Sequence, residues 1–76
     1  MHIPFETVGK ILAGEERGKF VKVKPDQENT GGFLILTGED REFKNGHDGW
    51  VKDEADLEGY FRESGWLVEW LVNPAD

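Results

Sequence analysis

The 76-residue sequence predicts a small α+β domain: a mainly antiparallel, three-stranded sheet with two helices packed on one face, in the order α-β-β-α-β. Three observations carry that prediction. Two strand-like segments, Gly18–Lys24 and Phe33–Thr37, flank a polar turn. An acidic helix with clear start and stop signals occupies residues 53–65. A last apolar alternation, Trp66–Val72, closes the pattern.

Taken in order, Pro4 suits a first helical position and Gly14 a stop. Phe5, Val8 and Leu12 fall at i, i+3 and i+7, the stripe of a short helix, although Gly9 within it lowers helical propensity. In Gly18–Lys24, Val21 and Val23 share one face. Phe20, Lys22 and Lys24 share the other, which must be partly wet. Asp26–Gly32 is a turn cluster too polar to pack. Phe33–Thr37 is apolar on both faces, as a central strand would be, and should pair with the preceding strand as an antiparallel hairpin.

Gly38–Gly49 reads as a loop, anchored by Phe43 and turned at Asn45-Gly46. Asp53 is a good N-cap, Glu54 and Asp56 suit the positive end of the helix dipole, and Leu57, Tyr60 and Phe61 form its buried stripe. Gly65 ends it. Trp66, Val68, Trp70 and Val72 then share one strand face, and Leu67, Glu69 and Leu71 the other, before the tail 73–76. Residues 1–76 are expected to form one domain.

A chain this short buries roughly 60% of its extended surface on folding, so its stability margin is thin. With no cysteine, disulfides cannot widen it, and the aromatic residues are the natural substitute. Neither a secretory signal nor a membrane-length apolar run is visible, the longest being Phe33–Leu36. A soluble, cytoplasmic protein is expected.

Charge is unevenly distributed. Residues 1–24 carry Lys10, Arg17, Lys19, Lys22 and Lys24 against Glu6, Glu15 and Glu16, a balance of +2. Residues 25–76 hold thirteen acids against Arg41, Lys44, Lys52 and Arg62, a balance of −9, which makes the net charge −7. Such a field repels nucleic acid and anionic membranes and attracts basic protein surfaces. It is also what plain solubility requires.

Catalytic and metal chemistry find little footing. His2 and His47 are the only histidines, so a structural zinc site lacks ligands. A calcium loop starting at Asp26 would place Thr37 where a bidentate glutamate belongs. Ser64, the sole serine, sits at a helix end, and a triad through His47 and Asp48 would need a pocket the chain scarcely has room to enclose. The carboxylate pairs Asp40/Glu42 and Asp53/Asp56 read as solvated surface. Gly31-Gly32 precedes a strand instead of opening a helix, as a phosphate cradle would.

Glu69 is either a buried carboxylate with a raised pKa or, more simply, an outward residue discouraging strand addition. The acidic, glycine-flanked loop around Trp50 either supplies a staple or lid, with Trp50 or Val51 packed on the helix start, or presents Trp50 as an apolar anchor for a partner.

The run GKFVKVKPDQENTGGFLILTGEDREF, the GHDGWV loop and LEGYFRESGWLVEWL together resemble small bacterial immunity proteins of polymorphic, interbacterial toxin systems. The resemblance spans roughly residues 10–71 and is most specific at Thr30-Gly31-Gly32, Gly49-Trp50 and Glu63-Ser64-Gly65-Trp66. It implies a protein that binds a cognate toxin domain and blocks it. None of these pieces is a catalytic signature, and none assigns an interface residue.

The function expected is therefore a non-catalytic immunity protein, without cofactor or metal, that neutralises a toxin domain having a basic cleft. Asp40, Glu42, Asp48, Glu54 and Glu58 would supply charge and Trp50 the apolar anchor. No direct contact with nucleic acid or membrane is expected, and the chain would be a monomer or a 1:1 heterodimer with its toxin. Two other readings compete. One is an acidic mimic of nucleic acid that inhibits a DNA- or RNA-binding protein. The other is a small assembly module self-associating through its last strand.

Overall fold

Alternation of side chains between two faces, and not helical spacing, organises the first half of the chain. In a computed structural model, which describes residues 3–26, 28–29, 31–44 and 46–71, the elements are β1 (Gly9–Ala13), β2 (Phe20–Asp26), β3 (Gly32–Gly38), β4 (His47–Val51), α1 (Glu54–Ser64) and β5 (Leu67–Trp70). The expectations for His2, Thr30, Asn45, Val72 and the tail 73–76 lie outside the described residues.

The strands form one sheet in the order β4-β3-β2-β1-β5, with every neighbour antiparallel. Strands β1 to β4 make a meander. Helix α1 then carries the chain from the β4 edge, over one face, to β5 at the other edge. The expected three-stranded sheet with two helices, in the order α-β-β-α-β, is thus corrected to five strands and one helix among the described residues; the small α+β class is retained.

Two segments account for the correction. The stripe Phe5, Val8, Leu12 is not helical: Gly9–Ala13 is a strand, Ile11 is fully buried, and Leu12 points outward. A short helix with glycine inside is marginal on its own. Pairing on both sides, Gly9 with Val21 and with Trp70, satisfies the same backbone groups better. Ahead of β1, Glu6 N–H donates to the Val23 carbonyl at 2.7 Å, and Phe5 stacks on Phe33 with centroids 5.2 Å apart.

The second segment is His47–Val51, placed in a loop by its composition but paired with β3 from Thr37↔His47 to Phe33↔Val51. Its inward positions include Gly49, and a Cβ there would meet the Tyr60 hydroxyl of α1 at 3.4 Å. Helix packing thus fills the space that an apolar strand residue would otherwise occupy.

Other element expectations hold, except that Tyr60, expected in the buried stripe of α1, is 37% exposed and the last strand is limited to Leu67–Trp70. Val21 and Val23 are buried, β2 and β3 form the hairpin, and β3 is an interior strand. Asp53 caps α1, its carboxylate accepting from Asp56 N–H at 2.8 Å, and Gly65 ends it with φ 69°. The core unites Ile11, Val21, Val23, Phe33, Ile35 and Val51 from the sheet with Leu57, Phe61 and Trp66. Burying each large side chain contributes about 1.5–3 kcal/mol.

Phe61 is the pivot, with its ring edge-on to Trp66 at 5.0 Å and stacked with Trp70 at 6.1 Å. At the far end of the helix, Gly14 (φ 91°) lets the β1–β2 turn lie against the Gly65 backbone, where a Cβ would collide with the Gly65 carbonyl. Glu15 N–H donates to the Ser64 carbonyl there, at 3.0 Å.

Candidate functional site: two unlike sides of one sheet

Because the side-chain period of a strand is two, the register that seals the core also determines what the other face presents. Gly9, Ile11, Val21, Val23, Phe33, Ile35, Gly49 and Val51 face α1. The residues between them face away. Reading across the sheet, one row is Trp50–Leu34–Lys24 and the next Asp48–Leu36–Lys22. A third runs through Phe20, Lys10 and Glu69. Leu12 and Leu67 lie on the same side beyond Lys10. The outer face thus holds an apolar block on β3 and β4, a file of lysines on β2 and β1, and a second apolar pair at β1 and β5.

Leu34 and Leu36 are half-buried. Trp50 remains 48% exposed, Leu12 44% and Leu67 61%. The Trp50 indole leans across Gly32, where a Cβ would stand 2.7 Å from its Cε2 and Nε1, so a glycine at this position makes room for the ring. Phe20 is covered by cations: the Arg41 guanidinium lies 5.6 Å from its centroid and Lys10 Nζ 5.9 Å. Among the described residues the ion pairs are Lys19–Glu16 and Lys44–Glu42, so Lys10, Lys22 and Lys24 are not held by a carboxylate. An open depression of about 230 Å³, lined by Leu36, Phe43, Gly46, His47 and Asp48, continues this face towards the β3–β4 loop.

The helix side has the opposite sign. Between residues 47 and 66 the acids are Asp48, Asp53, Glu54, Asp56, Glu58 and Glu63, against Lys52 and Arg62. All but Asp48 belong to α1 or its cap. Glu54 is exposed and Glu58 half-buried, each three residues before a core residue, Leu57 and Phe61 respectively.

The six residues expected to bind a partner therefore divide. Glu54 and Glu58 stand on the helix. Asp48 and Trp50 stand on the outer face of edge strand β4. Asp40 and Glu42 stand in the β3–β4 loop, where Asp40 organises its own turn, accepting from Glu42 N–H at 3.0 Å and Lys44 N–H at 3.4 Å. Glu42 is paired with Lys44 at 3.0 Å. The acids of loop and helix border β4 from its two ends, and Trp50 turns away from the helix. It is therefore not a lid on the helix start; Val51 is the residue buried there.

Glu69 is exposed on edge strand β5, opposite Lys10, in keeping with the outward reading. Among the described residues, no three His, Cys, Asp or Glu side chains converge. No described helix is long and apolar enough to cross a membrane.

One ionic pair perturbs titration. Lys19 Nζ lies 2.6 Å from Glu16 in the β1–β2 turn. Its hydrogen bond, and then its charge, hold Glu16 below the usual glutamate range. The same bond holds Lys19 above the usual lysine range.

Sequence reasoning missed the outer-face group Lys10, Leu12, Leu34 and Leu36. The legible signal was the wet face Phe20, Lys22, Lys24; extending it needed the register and the fact that, among the described residues, α1 alone covers the sheet. No protein family, no curated protein and no solved structure matches this chain.

Proposed function

We propose that this chain is a cytoplasmic, non-catalytic immunity protein that binds a cognate bacterial toxin domain and blocks it. The observation that supports this reading is the acidic helix side: the five carboxylates of Asp53, Glu54, Asp56, Glu58 and Glu63 against Lys52 and Arg62, on a helix and cap anchored by Leu57 and Phe61. A rigid acidic surface raises association rates with a basic cleft, and carboxylates there pair with the Arg or Lys that would otherwise grip phosphate. Asp40 and Glu42 extend the surface into the loop, and Asp48 carries it over the β4 edge.

The test is co-expression with the toxin-type domain encoded beside it, followed by purification and measurement of affinity against salt. A 1:1 complex is expected, with affinity falling about tenfold or more as added salt shortens the screening length. Glu54→Lys/Glu58→Lys should weaken it further. Absence of a complex, or affinity indifferent to both salt and charge reversal, would overturn the proposal.

A further inference from the structure

We propose that the face of the sheet opposite α1 is a second docking surface, and that its occupant is an acidic amphipathic helix of a partner protein. This surface lies on the other side of the sheet from the acidic helix and does not rest on the toxin-binding reading. The proposal stands on three features found together: the apolar block Trp50, Leu34 and Leu36; the lysine file Lys24, Lys22 and Lys10 beside it; and the absence of any described element covering either.

The dimensions suit a helix. Strands lie about 4.8 Å apart, so the three columns β4, β3 and β2 span about 10 Å, which is the diameter of a helix with its side chains. A helix lying along β3 would set its apolar stripe on Leu34 and Leu36 and one flank against Trp50. Its other flank would meet Lys22 and Lys24, and carboxylates on that flank would meet ammonium groups that no described carboxylate holds. The sheet, covered on one side by its own helix, would then be covered on both, the arrangement in which apolar strand faces are most stable.

The same face is poorly made for nucleic acid, although it carries lysines and aromatic rings. Leu12, Leu34, Leu36 and Leu67 offer no donors to phosphate. Asp48 and Glu69 stand among the lysines, and the whole chain carries −7. The Phe20 ring that might stack a base is already covered by Arg41 and Lys10. Acidic side chains with apolar neighbours match what is present.

The experiment is an amide-shift titration of the labelled full chain with a synthetic helical peptide of leucine and glutamate, roughly four turns long, its leucine stripe bordered by glutamates. Two further probes are the same peptide with lysine for glutamate, and an oligothymidylate. The expected result is saturable shifts in β2, β3, β4 and the Trp50 indole with the acidic peptide alone. Affinity should fall about tenfold or more in Lys22→Glu/Lys24→Glu and stay unchanged in Glu54→Lys/Glu58→Lys. Lys22→Gln/Lys24→Gln, which removes charge without reversing it, should give a smaller loss and serves if the reversed variant misfolds. The inference is overturned if the acidic peptide leaves the outer face unmoved, if the lysine peptide or the oligothymidylate binds it as well or better, or if both lysine variants bind as the parent does.

Discussion

Ile11 and Leu12 are adjacent in β1 and similar in size, yet Ile11 is 0% exposed and Leu12 44%. Ile35 and Leu34 repeat the contrast on β3, the first buried and the second only half-buried. The two faces of one sheet therefore carry similar apolar residues to different ends. On the inner face the large buried residues are apolar and share one core with Leu57, Phe61 and Trp66. On the outer face leucines and a tryptophan alternate with lysines and remain in contact with water. A small domain gains little by leaving such residues uncovered, and an apolar patch rimmed by charge is the usual mark of an interaction surface. The contrast teaches that alternation reveals where a sheet is sealed, whereas the exceptions to polarity on the wet side mark the surface proposed to dock a partner.

The most severe way to break this comparison is to remove the residue that seals the inner face. Phe61→Ala should cost about 3–5 kcal/mol, close to the whole stability of a domain this small, and leave the chain largely unfolded by circular dichroism. A cooperative transition near the parent midpoint would mean that α1 does not close the core. A finer comparison uses β3 alone. Ile35→Ala should cost about 2–5 kcal/mol in urea unfolding, and Leu34→Ala less than about 1.5 kcal/mol because its site is already half-wet. Equal losses would mean that something covers the outer face.

Legibility in the sequence followed the same division. The β2–β3 hairpin was readable because Val21, Val23 and the Phe33–Thr37 run show the period of two directly. Helix α1 was readable because Asp53 and Gly65 supply local chemistry at both ends. Strand β1 was not, since Phe5, Val8 and Leu12 fall by coincidence at helical spacing, and only pairing with β2 and β5 decides between the patterns. Strand β4 was hidden because its inward Gly49 leaves space to Tyr60, a contact made from another element. The acidic half of the candidate site was visible as charge. Its separation from Trp50 was not, because only the register places that ring with Leu34 and away from the helix.

A smaller effect sharpens the account of the inner face. Asp53→Ala removes the acceptor of the Asp56 N–H and should cost about 1 kcal/mol, seen as a lower midpoint with an unchanged slope in urea. If the midpoint stays where it is, the cap contributes nothing to holding the helix on the sheet.

The smallest effect belongs to the exposed Glu16–Lys19 pair. Because the pair lowers the pKa of Glu16, its contribution is present above the unfolded glutamate value and is lost as pH falls through the folded one. Lys19, raised by the same contact, contributes below the unfolded lysine value and loses that contribution as pH rises through the folded one. A carboxyl-detected titration should place the Glu16 midpoint below that of an ordinary glutamate, and Lys19→Ala should return it to the usual range.

One face of the sheet is sealed and no described element covers the other, and side-chain methyl signals report this directly. With a soluble paramagnetic agent added to the methyl-labelled chain at a concentration where it is monomeric, Leu12 and Leu67 should broaden strongly and Leu34 and Leu36 appreciably. Ile11, Val21, Val23 and Ile35 should be protected. Uniform protection of all these methyls would show the outer face to be covered in solution and would contradict the account.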